Sequence, residues 1–564
     1  MTGPRADAAD LPVVSRHRDG RDEWLVSTPT RTSLMRGTPA PAASGERWLP
    51  SEPGAGLVID WPPPAIVCDS TGDWQQWETA EDLAAQVRGP GHHYVVATRD
   101  PGRFLTGLAM VTARCTPVLR YGNRLLVGPL LQPGRGPCGA CYAHRLTTRL
   151  RSLGHRVERD HVLVPGTESV ADLVATARTL WERRTPQRPL DELMILDTAR
   201  GNLSHEKVIP RSECPCADGG HSPGTLEEWA GAVVGMAPEP SRPRTALALP
   251  YSVLSTRTAT GGTAGAAGLD EATVRRRTLG ESVERHALHT LPPGAWQALT
   301  SDTRPLNGFD GAAGPVWWVE GRRLRTGEPV VLPACLVSRA PECADPDGVR
   351  ASGSGVAAAD SAPAATTAAL LELVERETVV TAWPGPGTLR CDAAVWAPRH
   401  HALAEQLGGR LVLTVVTLPL KPPVAVAALT RDGVASYGSA CDLDPARACL
   451  HAADEALLMW HADLAAGEPR PWLAALDDLP AGTASVHCGL DGVFDGLDPI
   501  AVDLTCPESR AVGISVVATV PADPERLSRT RFPAAGDDPE LLDPAAPGRA
   551  RQVIAAFGTR RPPS

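Results

Sequence analysis

Aromatic side chains make up only 4% of this 564-residue sequence, and lysine is nearly absent, Lys207 and Lys421 being the two that occur. With so few aromatics the core must be built from Ala, Val and Leu. The 43% hydrophobic share is still that of a globular protein, which excludes wholesale disorder. The lack of lysine excludes a G-x-x-x-x-G-K-[ST] phosphate loop, because Glu206 precedes Lys207 and Leu420 precedes Lys421. No G-x-G-x-x-G follows a strand pattern in residues 60–210, so a dinucleotide site there is unsupported. Long apolar runs are missing too: Leu411–Leu420 is among the longest, well short of a membrane span, and Met1–Asp7 has no apolar signal core. The net charge of −10 contains no basic block, which argues against nonspecific binding to nucleic acid or anionic lipid. The expectation is a cytoplasmic protein with neither kind of partner. Thirteen scattered cysteines, an odd number, do not describe a secreted disulfide framework.

What is present divides in two. Residues 60–210 alternate short apolar runs with helical patterns, an α/β unit. Tyr94–Thr98 reads as a buried strand. Val118–Leu131 reads as a hairpin turning at Gly122-Asn123, Ala171–Arg184 as a helix and Glu192–Asp197 as a strand. A turn-rich stretch from Cys214 to about Arg244 marks the boundary, giving expected domains 1–225 and 226–564. Beyond it, strands are expected at Val330–Val337, Leu411–Leu418, Val424–Leu429 and Ile514–Val520. Ala-rich helices are expected at Asp270–Leu288, Ala364–Trp383 and Pro445–Leu464, an α/β or α+β unit of enzyme size.

One motif occurs twice. Leu279-Gly-Glu-Ser-Val-Glu-Arg-His286 and Leu371-Glu-Leu-Val-Glu-Arg-Glu377 both contain E-x-x-E-R in a helical pattern. The pairs Glu281/Glu284 and Glu372/Glu375, three residues apart, project from one helical face and suit a hard divalent cation. Arg285 and Arg376 suit a phosphate oxygen. The plainer reading is an i, i+4 ion pair on a solvated face; duplication within one domain favours metal and nucleotide. His286 reads as a helix residue packed near the core rather than a general base, and Glu455, among alanines, as a solvated helix residue. Two cysteine pairs, Cys138/Cys141 and Cys214/Cys216, can complete a tetrahedral structural Zn²⁺ site, with His144 or His221 as substitute ligands.

The segment Val127–Arg145 resembles the ThiF-like partner module of azoline-forming cyclodehydratases, where G-P…P-G-x-G-P-C-x-x-C…R opens a zinc site. Val208–Gly219 resembles the cysteine pair that closes it. Gly268-Leu-Asp-Glu-Ala272 with the first E-x-x-E-R resembles the first ATP motif of a YcaO domain, and Ser352–Arg376 resembles the second. Tyr437-Gly-Ser-Ala440, Leu443–Ala448 and Val516–Pro521 fit later segments of that domain, where Glu455 aligns with a family Glu. The resemblance covers roughly residues 90–540. It implies a ThiF-like zinc-binding module followed by a large YcaO-type ATP-binding domain. The chemistry implied is an ATP-dependent cyclodehydratase forming thiazoline or oxazoline rings from Cys, Ser or Thr of a ribosomal precursor peptide. Its cofactors would be ATP, Mg²⁺ held by the four motif carboxylates, and structural Zn²⁺. Its expected partners are the leader segment, added as a strand to a sheet edge, a flavin-dependent azoline dehydrogenase, and a second copy of the chain.

Four departures stand against this. The family's Gly-Lys-Gly is Ala266-Ala-Gly268, its small Ser before Leu279 is Arg277, its Asn is Ser354, and its His or Gln before the second motif is Ala368. They motivate a second expectation, a degenerate leader-binding scaffold that assists another enzyme. No catalytic residue is assigned.

Overall fold

In a computed structural model the chain divides into two compact units, Met1–Met236 and Ala237–Ser564. Outside short gaps the structure describes residues 115–152, 191–242, 251–299, 315–343, 351–482, 497–530 and 546–557, together with strands before residue 100. The expected helix at 171–184 lies outside the described residues, as does His221.

In the first unit, β1 (Val13–Arg16), β2 (Glu23–Thr28) and β3 (Arg31–Arg36) form an antiparallel sheet. The other strands are β4 (Ala65–Cys68), β5 (Trp74–Trp77), β6 (Tyr94–Thr98), β7 (Cys115–Tyr121), β8 (Arg124–Val127), β9 (Glu192–Asp197) and β10 (Asn202–Lys207). They make a seven-stranded sheet in the order β10-β9-β8-β7-β6-β4-β5. Among the described strands of this sheet only β6 and β7 pair in parallel. The expected hairpin pairs Tyr121 with Arg124. Helix α1 (Gly139–Ser152) starts between the first two cysteines of interest.

In the second unit, β11 (Ser252–Arg257) and β12 (Thr263–Gly268) form a hairpin on which α2 (Glu271–Leu288) packs. Asp270 caps α2 by accepting from the Thr273 N–H at 2.9 Å, satisfying one of the free donors of its first turn. A six-stranded sheet contains β13 (Trp296–Leu299), β14 (Pro315–Arg323), β15 (Pro329–Pro333), β16 (Val356–Ala359), β22 (Pro499–Asp503) and β23 (Ser515–Pro521). The strand expected over 330–337 stops at Pro333. Ala334 then accepts from the N–H groups of Val337 and Ser338, closing a 3₁₀ turn instead. Helix α3 (Ala362–Ala382) is capped by Ser361 and has a proline in its first turn, where no N–H is lost.

The last sheet is antiparallel, β17 (Thr388–Cys391), β18 (Arg410–Val416), β19 (Val424–Arg431), β20 (Val434–Cys441) and β21 (Arg470–Pro471). Short helices α4 (Ala393–Trp396) and α5 (Pro398–Gln406) link its first two strands. Leu411, Leu413 and Val415 face α6 (Pro445–Ala466). Val412 and Val416 face the opposite core, which includes Leu373 and Val374 of α3. Burial on both faces explains why β18 and β19 are almost continuously apolar rather than alternating. The short α7 (Pro507–Ala511) and the C-terminal α8 (Pro547–Phe557) follow, and α8 adds Phe557 to an aromatic group with Trp383 and Tyr437.

Candidate functional site

The two E-x-x-E-R motifs lie on α2 and α3, and both i, i+4 pairs expected of a solvated face do form. Arg285 Nε donates to Glu281 at 2.8 Å and Arg376 donates to Glu372 at 2.9 Å. The second pair is not on an open surface, the Arg376 side chain being 14% exposed, whereas Arg285 is 42% exposed. Arg376 also contacts Glu375, which is buried. Glu284 has its carboxyl pushed well above the ordinary range, first by burial and then by the charges of Glu372 and Glu281. Carboxylates of two helices therefore share one region.

A third helix contributes a carboxylate that the sequence reading placed in solvent. Glu455 of α6 accepts from the Ser439 N–H at 3.0 Å, while Ser439 Oγ donates to Glu375 at 2.6 Å. Burial, followed by the charge of Glu375, raises Glu455 to about 7. Burial, opposed by Arg376, raises Glu375 to about 7 as well. The signal for Glu455 was in the strand rather than the helix. A Cβ on Gly438 would collide with the backbone of Ala452 and Ala456, so the small-residue run Gly438-Ser439 lets α6 lie against β20. Among the described residues β21 pairs only with Val434 and Ala435, so no described strand takes the later amides on that edge of β20. Ser439 and Cys441 give theirs to Glu455 and Glu375. Backbone donors also hold the other helices' carboxylates: Gly265 N–H to Glu281 at 2.7 Å and Gly355 N–H to Glu372. Gly355 has φ +73°, and its Cβ would meet Thr519, so this close approach requires glycine.

Five carboxylates thus face two guanidiniums, both held firmly protonated by them. The excess of hard oxygen donors fits a divalent cation such as Mg²⁺. Of the four departures, Ala266 and Ala267 are buried strand residues, and Ala368 is exposed. Arg277 donates to Asp454 at 2.8 Å, and Asp454 also accepts from His400 Nε2 at 2.9 Å.

The four sulfurs of Cys138, Cys141, Cys214 and Cys216 lie within 4.8 Å of one another in the first unit. Cys138 and Cys214 are 3.5 Å apart, and Cys141 and Cys216 3.4 Å. Zn–S bonds of 2.3 Å in a tetrahedron would put them at ~3.8 Å. Hydrogen bonds from Cys141 and Cys216 lower Cys138, while Cys216 is raised to about 12. One thiol is thus the first to ionise. Arg145, one turn beyond Cys141, donates to the carbonyls of Ile209 (2.8 Å) and Pro210 (2.7 Å), and the Arg211 N–H approaches Cys141 Sγ at 3.3 Å. This clamp brings the second pair to the first. His144 is not in the cluster; its Nε2 lies 3.5 Å from Thr148 Oγ1.

Residues 264–487 match the family model described as YcaO cyclodehydratase, ATP- and Mg²⁺-binding. No curated protein matches the chain. Among solved structures, a heterocyclase in complex with substrate and cofactor is similar, with a TM-score of 0.57 and 17% identity over 76% of this chain and 75% of that one. The heterocyclase TruD is similar with a TM-score of 0.48 and 17% identity, over 76% and 73%. YcaO from Methanopyrus kandleri bound with AMPPCP and Mg²⁺ gives 0.41 and 21%, over 51% and 85%. The first of these shows a shared fold.

Proposed function

We propose that the protein is an ATP-dependent cyclodehydratase that closes Cys, Ser or Thr of a ribosomal precursor peptide into thiazoline or oxazoline rings. The observation that carries this is the convergence of Glu281, Glu284, Glu372, Glu375 and Glu455 from three helices around Arg285 and Arg376. A solvated ion pair needs no such arrangement; a triphosphate with Mg²⁺ does. Bound there, Mg²⁺ would neutralise the triphosphate. Arg285 and Arg376 would stand beside its oxygens and stabilise charge on the transferred group. The substrate thiol or hydroxyl adds to the preceding amide carbonyl and gives up its proton, the resulting oxyanion takes the γ-phosphoryl group as ADP leaves, and phosphate then departs as the amide nitrogen loses its proton and the C=N bond forms. Phosphorylation is needed because an amide oxygen is otherwise a very poor leaving group.

In the same reading, residues before about 225 are a ThiF-like module, closed by Zn²⁺ on Cys138, Cys141, Cys214 and Cys216, that binds the leader as an added strand. The protein would work in the cytoplasm, with a flavin-dependent azoline dehydrogenase and a second copy of the chain as further partners. The test is phosphate release with precursor, together with the loss of one water per ring by mass spectrometry.

A second reading, a scaffold with a degenerate domain, is favoured by the commitment of Arg277 to Asp454 and by alanine at 266 and 267. A parent protein that binds leader but releases no phosphate with precursor and partners supplied would decide for it.

A further inference from the structure

His286 stands two residues beyond Glu284 on α2, with its side chain 14% exposed. It belongs to a group the carboxylate cluster does not use. β22 runs into Leu504–Cys506, and α7 then begins, with Cys506 at its N-cap and Glu508 in its first turn. Cys506 and Glu508 are 1% and 3% exposed. Their ligand atoms and a ring nitrogen of His286 all lie within 4.8 Å of one another, with His286 Nε2 3.9 Å from Glu508 Oε1.

The segment that carries the two is well fixed. Leu504 N–H donates to Val516 O at 2.9 Å, Val516 N–H to Thr505 Oγ1 at 3.0 Å, and Ile514 N–H to Ser509 O at 3.0 Å. Ser509 Oγ donates to the Cys506 carbonyl at 2.9 Å. Such fixing sets ligand direction before any ion arrives.

We propose that His286, Cys506 and Glu508 bind one Zn²⁺, which ties the C-terminal turn of α2 to the end of β22. The donor set decides the ion. Sulfur, imidazole nitrogen and a single carboxylate suit a borderline-soft cation with low coordination number, whereas Mg²⁺ wants oxygen. Zn–N and Zn–O bonds near 2.0–2.1 Å place nitrogen and oxygen ~3.3 Å apart in a tetrahedron. The 3.9 Å seen therefore needs a contraction within reach of side-chain adjustment. Burial argues against a reactive role, because a thiol exposed to 1% has no access to a peptide. A structural ion uses that same burial. Three protein ligands leave a fourth place for water.

The test uses the full-length protein, equilibrated with Zn²⁺ in excess Mg²⁺ so that the carboxylate cluster does not take zinc. Zinc per chain is then measured by elemental analysis. The four-cysteine cluster accounts for at most one ion, so the parent is expected to hold two. Cys506→Ser and His286→Gln should each lose one, while Cys449→Ser, at another buried cysteine, should lose none. A parent with no zinc, or with a single ion that Cys141→Ser removes, overturns the site whether or not the other variants fold. Undiminished zinc in both Cys506→Ser and His286→Gln overturns it as well.

Discussion

In the first unit four thiols hydrogen-bond to one another; in the second, five carboxyls hydrogen-bond to almost everything except one another. Crowding thiols costs little because at most one, Cys138, is lowered enough to ionise, and S–H···S contacts from its neighbours hold the group together. Carboxyls are charged when free, so theirs must be opposed by guanidinium, by strand amides and by partial protonation. The sulfur cluster is accordingly assembled from two short sequence pairs and one arginine clamp. The oxygen cluster needs three helices, two hairpins and a glycine loop.

The largest expected effects break this comparison at its two clusters, where metal binding is proposed. Glu284→Gln and Glu375→Gln should each abolish peptide-dependent phosphate release, by orders of magnitude, with circular dichroism and leader binding unchanged. An exposed i, i+4 pair would be worth only ~0.2–0.5 kcal/mol. Release that persists in both variants removes these side chains from the site. Next, Cys141→Ser should lose the zinc of the first unit and lower the thermal stability of that unit, because binding a structural zinc is worth roughly 10 kcal/mol or more. Full zinc content in the variant would defeat the four-thiolate assignment.

The same contrast governs what could be read without the fold. Cys138/Cys141 and Cys214/Cys216 were visible because chelating spacing is local. The helices 271–288, 362–382 and 445–466 followed from periodicity to within two residues at each end. Glu455 was misread because its helix looks like any alanine-rich helix. What buries it is Gly438, on a strand, and the open amides beyond β21. Ser439 was missed for the same reason, since its role exists only once α3 and α6 have met the edge of β20. The Asp454–Arg277–His400 group joins three helices and has no local pattern.

Two intermediate effects sharpen the role of that edge. Gly438→Ala should force α6 away from β20, costing ~1–3 kcal/mol as an overpacked contact does. It should also weaken Mg²⁺-dependent nucleotide binding, which calorimetry would read; wild-type binding in a stable variant would show that the close approach is not needed. The second effect is in pH. In the metal-free protein Glu375 and Glu455 are raised from 4.5 to about 7, so folding favours their protonated forms. Their contribution to stability is full below about 4.5 and is lost as pH rises through about 7. Mg²⁺ should therefore raise the melting temperature more at pH 8 than at pH 6. Equal shifts at both would place the ion elsewhere.

The smallest expected effect concerns Arg277, which stands where the family's small serine is expected. Its side chain is 38% exposed and its partner Asp454 is 16% exposed, and a pair so open to water contributes ~0.2–1 kcal/mol. Asp454 also lies 2.9 Å from His400 Nε2, so removing Arg277 should not leave its carboxylate without a partner. If the guanidinium is committed to Asp454, Arg277→Ser should change stability by less than ~1 kcal/mol and the KM for ATP by less than about fivefold, the equivalent of that energy. If it instead substitutes for the absent lysine at 267, removing it strips a cation from the triphosphate. The KM for ATP then rises tenfold or more while the melting temperature hardly moves. The distance to Asp454 favours the first outcome, and a steady-state ATP titration of parent and variant separates the two.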